Sequence, residues 1–110
     1  MSTWLSSELT RVMAARPATE ERFQAEVLRW ARLLGWTAYH THDSRRSVSG
    51  FPDLVLARPP VVLLVELKSA QGRMTMEQKE WRELLQACDR LETPGVWRPQ
   101  DWPRIIQTLR

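Results

Sequence analysis

The sequence contains a single cysteine and no long hydrophobic run, and both features limit the kind of protein it can be. Cys88 has no partner for an internal disulfide, which excludes a disulfide-stapled scaffold, and its helical context predicts a buried thiol rather than a nucleophile. No apolar stretch reaches the roughly 20 residues that cross a bilayer, and the first residues lack the pattern of a secretory signal. We therefore expect a cytoplasmic protein without membrane contacts.

The chain also has few histidines and a small net charge. His40 and His42 would share one face of a strand, but no further histidine or cysteine is available to complete a tetrahedral zinc site. The net charge of +3 is compatible with a polyanionic partner without requiring one. With 110 residues, of which 43% are hydrophobic and 26% charged, the chain has the size and composition of one globular domain rather than a disordered or fibrous protein.

Hydrophobic spacing predicts an α/β fold in which a small mixed β-sheet is flanked by helices. Residues 1–18 are expected to form an N-terminal helical extension, and residues 19–110 the domain proper. The predicted elements of the domain are a helix that begins after the cap Thr19, strands in "WTAYHTH", "FPDLVLA", "VVLLVEL" and "GVWR", a helix that begins after the capping box "TMEQ", and a last helix that begins after Asp101.

Two of these strands bring ionisable side chains together. If their turn is centred on Pro59 and Pro60, paired residues have numbers that add up to 119, as those of Asp53 and Glu66 do. Opposed Cβ atoms lie roughly 5 Å apart, a spacing at which one divalent ion can bridge two carboxylates. Lys68 shares the face of Glu66. Because two prolines do not suit a tight hairpin turn, we expect a longer loop, and the alternative is a simple ion pair to Lys68 without chemistry.

The helix that begins after Thr19 adds a third carboxylate. Glu20 extends the apolar stripe of this helix and is expected to point toward the sheet, with Gln24 one turn further on. The alternative is that Glu20 only complements the helix dipole. Beside Asp53 and Glu66, however, three carboxylates would repel each other unless a cation lies among them, and such hard oxygen ligands suit Mg²⁺ or Mn²⁺.

These residues match a known pattern. Asp53 followed by Glu66, Leu67 and Lys68 resembles the PD-(D/E)XK nuclease signature, and the surrounding sequence resembles its VRR-NUC branch, found in phages, bacteria and the Fanconi-associated repair nuclease. The resemblance covers residues 19–110. It is carried by "TEERFQ", "LLGW", "YHTHDSRRS", "GFPDLVL", "ELK", "GRMTMEQKEW" and "VWRPQDW", whereas "ACDRLETPGVW" departs from the usual short glycine turn.

The resemblance implies a restriction-endonuclease-like core that hydrolyses phosphodiester bonds in DNA with Mg²⁺ or Mn²⁺. It implies that Asp53, Glu66 and the backbone carbonyl of Leu67 hold the metal, that Glu20 completes the metal environment through water, and that Lys68 positions or deprotonates the attacking water. It also offers a site role for Gln78, a residue that the capping box explains equally well.

The remaining expectations concern DNA and assembly. Ser44, Arg45 and Arg46 lie in a polar loop beside the start of the strand that carries Asp53, where they are expected to grip the DNA backbone together with His42 and Gln24. Small relatives imply a branched substrate such as a Holliday junction or a flap, and cutting two strands favours a homodimer. The alternatives are a non-catalytic DNA-binding module and a partner-binding subunit that uses its six tryptophans.

Overall fold

In the described part of the chain, helices and strands follow one another in the order that the sequence predicts. The structure is a computed structural model, and it describes residues 7, 11, 19–41, 48–88 and 92–110. Its elements are α1 (Glu20–Leu33), β1 (Thr37–His40), β2 (Leu54–Arg58), β3 (Val61–Leu67), α2 (Met76–Gln86), β4 (Glu92–Trp97), a 3₁₀ turn (Pro99–Asp101) and α3 (Trp102–Leu109).

The four strands form one mixed sheet in the order β1-β2-β3-β4. The first two pairings are antiparallel, and β3 pairs with β4 in parallel. Along the inner strand β3, residues 63–67 are all buried, so both faces of the sheet are covered there. The sheet is thus the small mixed sheet predicted from the sequence.

The hairpin of β2 and β3 has the predicted register. Leu54 pairs with Val65, and every pair in the ladder adds up to the same number, 119. The expected longer loop is wrong, because β2 runs to Arg58, β3 begins at Val61, and Pro59 and Pro60 alone make the turn, joined by a cis peptide bond. Continued by one residue, this register places Asp53 opposite Glu66.

One face of the sheet packs against α1 and α3 to form the core. The hydroxyl of Thr19 caps α1 as predicted, accepting a hydrogen bond from the backbone N–H of Arg22 at 3.1 Å. Phe23 on α1 meets Trp102 on α3 edge to face, with ring centroids 5.9 Å apart. Both rings are fully buried. Full burial of one such large side chain contributes roughly 1.5–3 kcal/mol, so both helices add to the stability of the fold.

The C-terminal ends of α1 and α3 are joined by Arg58 at the end of β2. One guanidinium nitrogen, Nη1, donates to the carbonyl of Leu34 at 2.9 Å and to that of Leu109 at 2.8 Å. The guanidinium also stacks on Trp36, with 4.4 Å from Cζ to the ring centroid. The Trp36 indole donates to the same Leu109 carbonyl at 2.9 Å. Arg58 and Trp36 therefore satisfy carbonyls that the two helix ends would otherwise leave unpaired.

Helix α2 covers the other face, and its orientation differs from the expectation. The apolar spacing of this helix predicts a buried stripe that includes Trp81, Leu84, Leu85 and Cys88, but Leu84 is 60% exposed, Cys88 is exposed, and Trp81 and Leu85 are half-buried. Gln78, which is half-buried, and Arg82, which is exposed, lie on the side of the helix that borders the sheet. These two residues line a cavity of about 20 Å³ together with Pro52, Leu64, Glu66, Leu85 and Gly95. The predicted burial of Cys88 is therefore wrong.

Candidate active site

Asp53 and Glu66 meet at the open end of the hairpin. Asp53 directly precedes β2, and its Oδ2 accepts a hydrogen bond from the backbone N–H of Leu67 at 3.1 Å. Its carboxylate also hydrogen-bonds the side chain of Glu66. The hairpin register thus brings together the two carboxyl groups that the sequence places opposite each other.

Glu66 is a buried acid whose ionisation is strongly disfavoured. Its residue is only 4% exposed. Burial first, and then the hydrogen bond and charge of Asp53, raise the pKa of Glu66 from 4.5 to about 9, with a smaller contribution from Glu20 in the same direction and an opposing one from Lys68. Burial and the neighbouring Asp53 carboxylate therefore disfavour the charged form of Glu66, an effect that the positive charge of Lys68 only partly offsets.

The segment that leads into Asp53 is packed tightly on the first turn of α2. Gly50 has a φ of +91°, and a Cβ atom there would lie 2.5 Å from the carbonyl carbon of Glu77. The next residue, Phe51, meets Trp81 edge to face, with ring centroids 5.1 Å apart. These contacts hold Asp53 in a defined position relative to α2.

Lys68 follows Glu66 on the same face of β3 and is half-buried. Its backbone N–H donates to the carbonyl of Trp97 at 3.2 Å, which ties the end of β3 to β4. The next loop is held by Arg98, whose Nη1 donates to the carbonyls of Ser69 at 2.9 Å and Gly72 at 2.7 Å. The backbone on both sides of Lys68 is thereby fixed.

An open cleft of about 290 Å³ lies beside Asp53 and Lys68, whereas Glu66 lines the small cavity beneath α2. The cleft is lined by Glu20, Glu21, Gln24, Asp53, Lys68 and Gln78. The first turn of α1 therefore faces the cleft, as the apolar stripe of that helix predicts for Glu20. The sequence prediction missed Glu21, although its place in the first turn beside Glu20 was a usable signal.

Two of the cleft residues have partners on other elements. Nε2 of Gln24 lies 3.4 Å from Nδ1 of His40 on β1. Gln78 joins the cleft to Glu66, because its Nε2 donates to Glu66 Oε1 at 3.3 Å. The other predicted DNA contacts, His42, Ser44, Arg45 and Arg46, lie outside the described residues.

Comparisons with known proteins assign the chain to a family. A model of the VRR-NUC domain matches residues 3–93 of the chain. The chain belongs to the VRR-NUC family. This membership confirms the resemblance and makes the chain a member of a nuclease family. Because the match begins at residue 3, it does not divide the chain at residue 19, and the boundary between extension and domain stays a prediction.

Solved structures share the fold of this VRR-NUC domain. A structure described as a VRR_NUC domain gives a TM-score of 0.66 at 24% identity, covering 82% of this chain and 97% of that one. Archaeoglobus fulgidus Hjc, a Holliday junction resolvase from an archaeal hyperthermophile, gives 0.53 at 19% identity, covering 72% and 68%. A search of curated protein sequences found no match. In the described part of the chain, no helix has the length and apolar character needed to span a membrane.

The donor set of this VRR-NUC domain is compatible with a hard divalent cation. Burial and the adjacent Asp53 carboxylate raise the pKa of Glu66, so a cation bound between the two side chains would stabilise the charged form of Glu66. Across residues 19–41, 48–88 and 92–110, no third His, Cys, Asp or Glu joins them in a cluster suited to a metal. Glu20 lines the cleft without entering such a cluster, and its predicted role through water stays a prediction.

Proposed function

We propose that this VRR-NUC domain is a divalent-metal-dependent DNA endonuclease with a preference for branched substrates such as a Holliday junction or a flap. The observation that carries the proposal is the convergence of Asp53 and Glu66 at the end of one hairpin, with Lys68 on the same face and an open cleft in front. A pair of carboxyl groups with a neighbouring cation is a common arrangement for hydrolytic chemistry at phosphate.

The proposed cofactor is Mg²⁺ or Mn²⁺. Asp53, Glu66 and the backbone carbonyl of Leu67 would hold the ion, with Glu20 contributing through water. The bound ion would lower the pKa of a coordinated water and stabilise the charge that develops on the phosphate.

The protein groups have separate tasks in this proposal. Glu66 would bind the ion in its ionised form, and Asp53 is oriented for the same task because the N–H of Leu67 fixes one of its oxygens. The Lys68 ammonium positions the attacking water by hydrogen bonding, and as a neutral amine it could accept a proton from that water. Gln78 contacts Glu66 rather than the water.

The proposed substrate is DNA, and its branched form is supported by the fold shared with Hjc, which is described as a Holliday junction resolvase. Ser44, Arg45 and Arg46 shortly precede, in the sequence, the segment that leads into Asp53, and their side chains are proposed to hold the phosphate backbone. His42 and Gln24 are proposed as further contacts at the cleft. Cytoplasmic location remains an expectation.

We further propose that the active form is a homodimer joined through the outer side of α2. Each chain has one candidate site, whereas cutting both strands of a duplex requires two. Phe51, Met76 and Leu84 are 37%, 66% and 60% exposed. With the half-buried Trp81 and the exposed Cys88, these side chains give α2 an apolar outer surface close to the cleft, which suits a second copy of the same surface.

The function is tested by incubating the protein with labelled linear, flapped and four-way-junction DNA in Mg²⁺, Mn²⁺ or EDTA. We expect metal-dependent cutting of the branched substrates, abolished by EDTA. If every substrate stays intact while its mobility shifts, the alternative of a non-catalytic DNA-binding module replaces the nuclease.

The dimer is tested by measuring the molar mass of Leu84→Asp and Leu33→Asp by light scattering. Leu33, on α1, is 51% exposed and serves as the matched control. We expect the wild type and Leu33→Asp to be dimers and Leu84→Asp to be a monomer. A monomeric wild type would refute the assembly, and a dimeric Leu84→Asp would refute the α2 interface.

A further inference from the structure

Gln78 uses both ends of its side-chain amide at once. Its Oε1 accepts a hydrogen bond from the backbone N–H of Thr75 at 2.8 Å, while its Nε2 donates to Glu66 Oε1 at 3.3 Å. The backbone N–H of Gln78 in turn donates to the Thr75 hydroxyl at 3.1 Å, which completes the capping box of α2. The helix cap and the contact with Glu66 are therefore made by the same side chain.

We infer that Gln78 is a positioning residue for Glu66 and that the capping box of α2 fixes which end of its amide faces the active site. The inference rests on the proposed metal-dependent nuclease. A backbone N–H can only donate, so the carbonyl oxygen of the amide must face Thr75. The NH₂ group is then the only end left for Glu66, and the helix start determines that the site receives a hydrogen-bond donor.

This donor acts on the orientation of a proposed metal ligand. The carboxyl group of Glu66 can rotate about its terminal bond, and only some orientations keep an oxygen directed toward Asp53 and the cleft. A hydrogen bond to Oε1 restricts that rotation. Partners of this kind orient ligands in metal sites, and their loss typically weakens metal binding or activity by about 10- to 100-fold.

Packing supports the same role. Gln78 is half-buried and lines both the open cleft and the small cavity beneath α2, so its side chain stands between the two spaces. The close approach of Gly50 to the backbone of Glu77 fixes the same turn of α2 from outside. The amide is thus held by its helix cap on one side and by a tightly packed turn on the other.

Three variants separate the cap from the contact with Glu66. Gln78→Glu keeps an acceptor for the Thr75 N–H, since glutamate is a normal capping-box residue, but it cannot donate to Glu66. Thr75→Val removes the capping hydroxyl and leaves the Thr75 N–H that orients Gln78. Gln78→Met removes the contact with Glu66 and the side-chain half of the cap.

Each variant is measured for its melting temperature, for Mn²⁺ affinity by calorimetry without DNA, and for kcat and KM on a cleavable DNA. We expect Gln78→Glu to keep the acceptor for the Thr75 N–H but to lose at least tenfold in kcat with KM unchanged. Gln78→Met should lose at least threefold in Mn²⁺ affinity and at least tenfold in kcat. Thr75→Val should melt at a lower temperature and keep both values within twofold.

Two results would overturn the inference. One is a Gln78→Met protein with wild-type Mn²⁺ affinity. The other is a Thr75→Val protein that loses as much Mn²⁺ affinity as Gln78→Met, because the cap alone would then explain the effect. If the wild type cuts no DNA, the proposed nuclease fails, while Mn²⁺ binding still decides the role of Gln78.

Discussion

Replacing Glu66 with glutamine should make the metal-free protein more stable at pH 8, although the residue lies in the proposed active site. The pKa of Glu66 is about 9 in the folded protein, against 4.5 for the exposed side chain. Between these values the folded state binds one more proton than the unfolded state, so the free energy of unfolding falls as pH rises. Glutamine is neutral, so the variant does not lose stability in this way, and its side-chain NH₂ can donate a hydrogen bond to Asp53.

The size of this stability difference follows from the one extra proton that the folded wild type binds. Each pH unit within the window lowers the free energy of unfolding of the wild type by about 1.4 kcal/mol relative to Glu66→Gln, or about 3 kcal/mol from pH 6 to pH 8. Urea unfolding of both proteins in EDTA at pH 6, 7 and 8 measures this difference. The two histidines titrate in both proteins, so their contribution cancels.

A constant difference between the two proteins across this pH range would refute the reasoning, because it would mean that Glu66 ionises normally in the folded state. Adding Mn²⁺ at pH 8 supplies an independent test of the same group. The ion should stabilise the wild type and have little effect on Glu66→Gln, since binding requires the ionised carboxylate.

Three further predictions concern packing. Arg58→Met should lower the free energy of unfolding by about 2–3 kcal/mol in urea titrations, because two helix-end carbonyls lose a charged donor. Cleavage per folded molecule should stay unchanged, and a variant as stable as the wild type would contradict this. Gly50→Ala should destabilise the fold by about 1–3 kcal/mol and reduce cleavage, since the positive φ of residue 50 and its close approach to Glu77 leave no room for a Cβ atom. A variant with the melting temperature and activity of the wild type would contradict this prediction. In the monomeric variant Leu84→Asp, Cys88 should react with a thiol reagent in the folded state at a rate close to that seen in urea, because the residue is exposed in the single chain, whereas protection in that variant would contradict this exposure.

The hairpin and the core helices could be predicted from the sequence because local patterns determine them. Two apolar runs separated by Pro59 and Pro60 leave one register that keeps their buried faces together, and that register brings Asp53 opposite Glu66. Likewise, the apolar spacing of α1 and α3 identified the side chains that pack on the sheet, including Phe23.

The orientation of α2 could not be predicted in this way. An apolar stripe shows which side of a helix avoids water, but it does not show which surface lies opposite. The sheet beneath the start of α2 presents Glu66, and the helix places the polar side chain of Gln78 over it and leaves Leu84 exposed. Predicting this requires knowing that a buried acid lies beneath the helix, which the stripe alone does not reveal.

The most direct test of the central claim compares cutting and binding on the preferred DNA for the wild type, Asp53→Ala, Lys68→Ala and Lys79→Ala. Lys79 is the only other lysine and is exposed on α2, so its variant controls for loss of one positive charge. Fluorescence anisotropy measures binding, and a gel measures cleavage with Mg²⁺ or Mn²⁺. We predict that all four proteins bind DNA and that only the wild type and Lys79→Ala cut it. Cleavage by Asp53→Ala or Lys68→Ala at the wild-type rate would show that the site lies elsewhere.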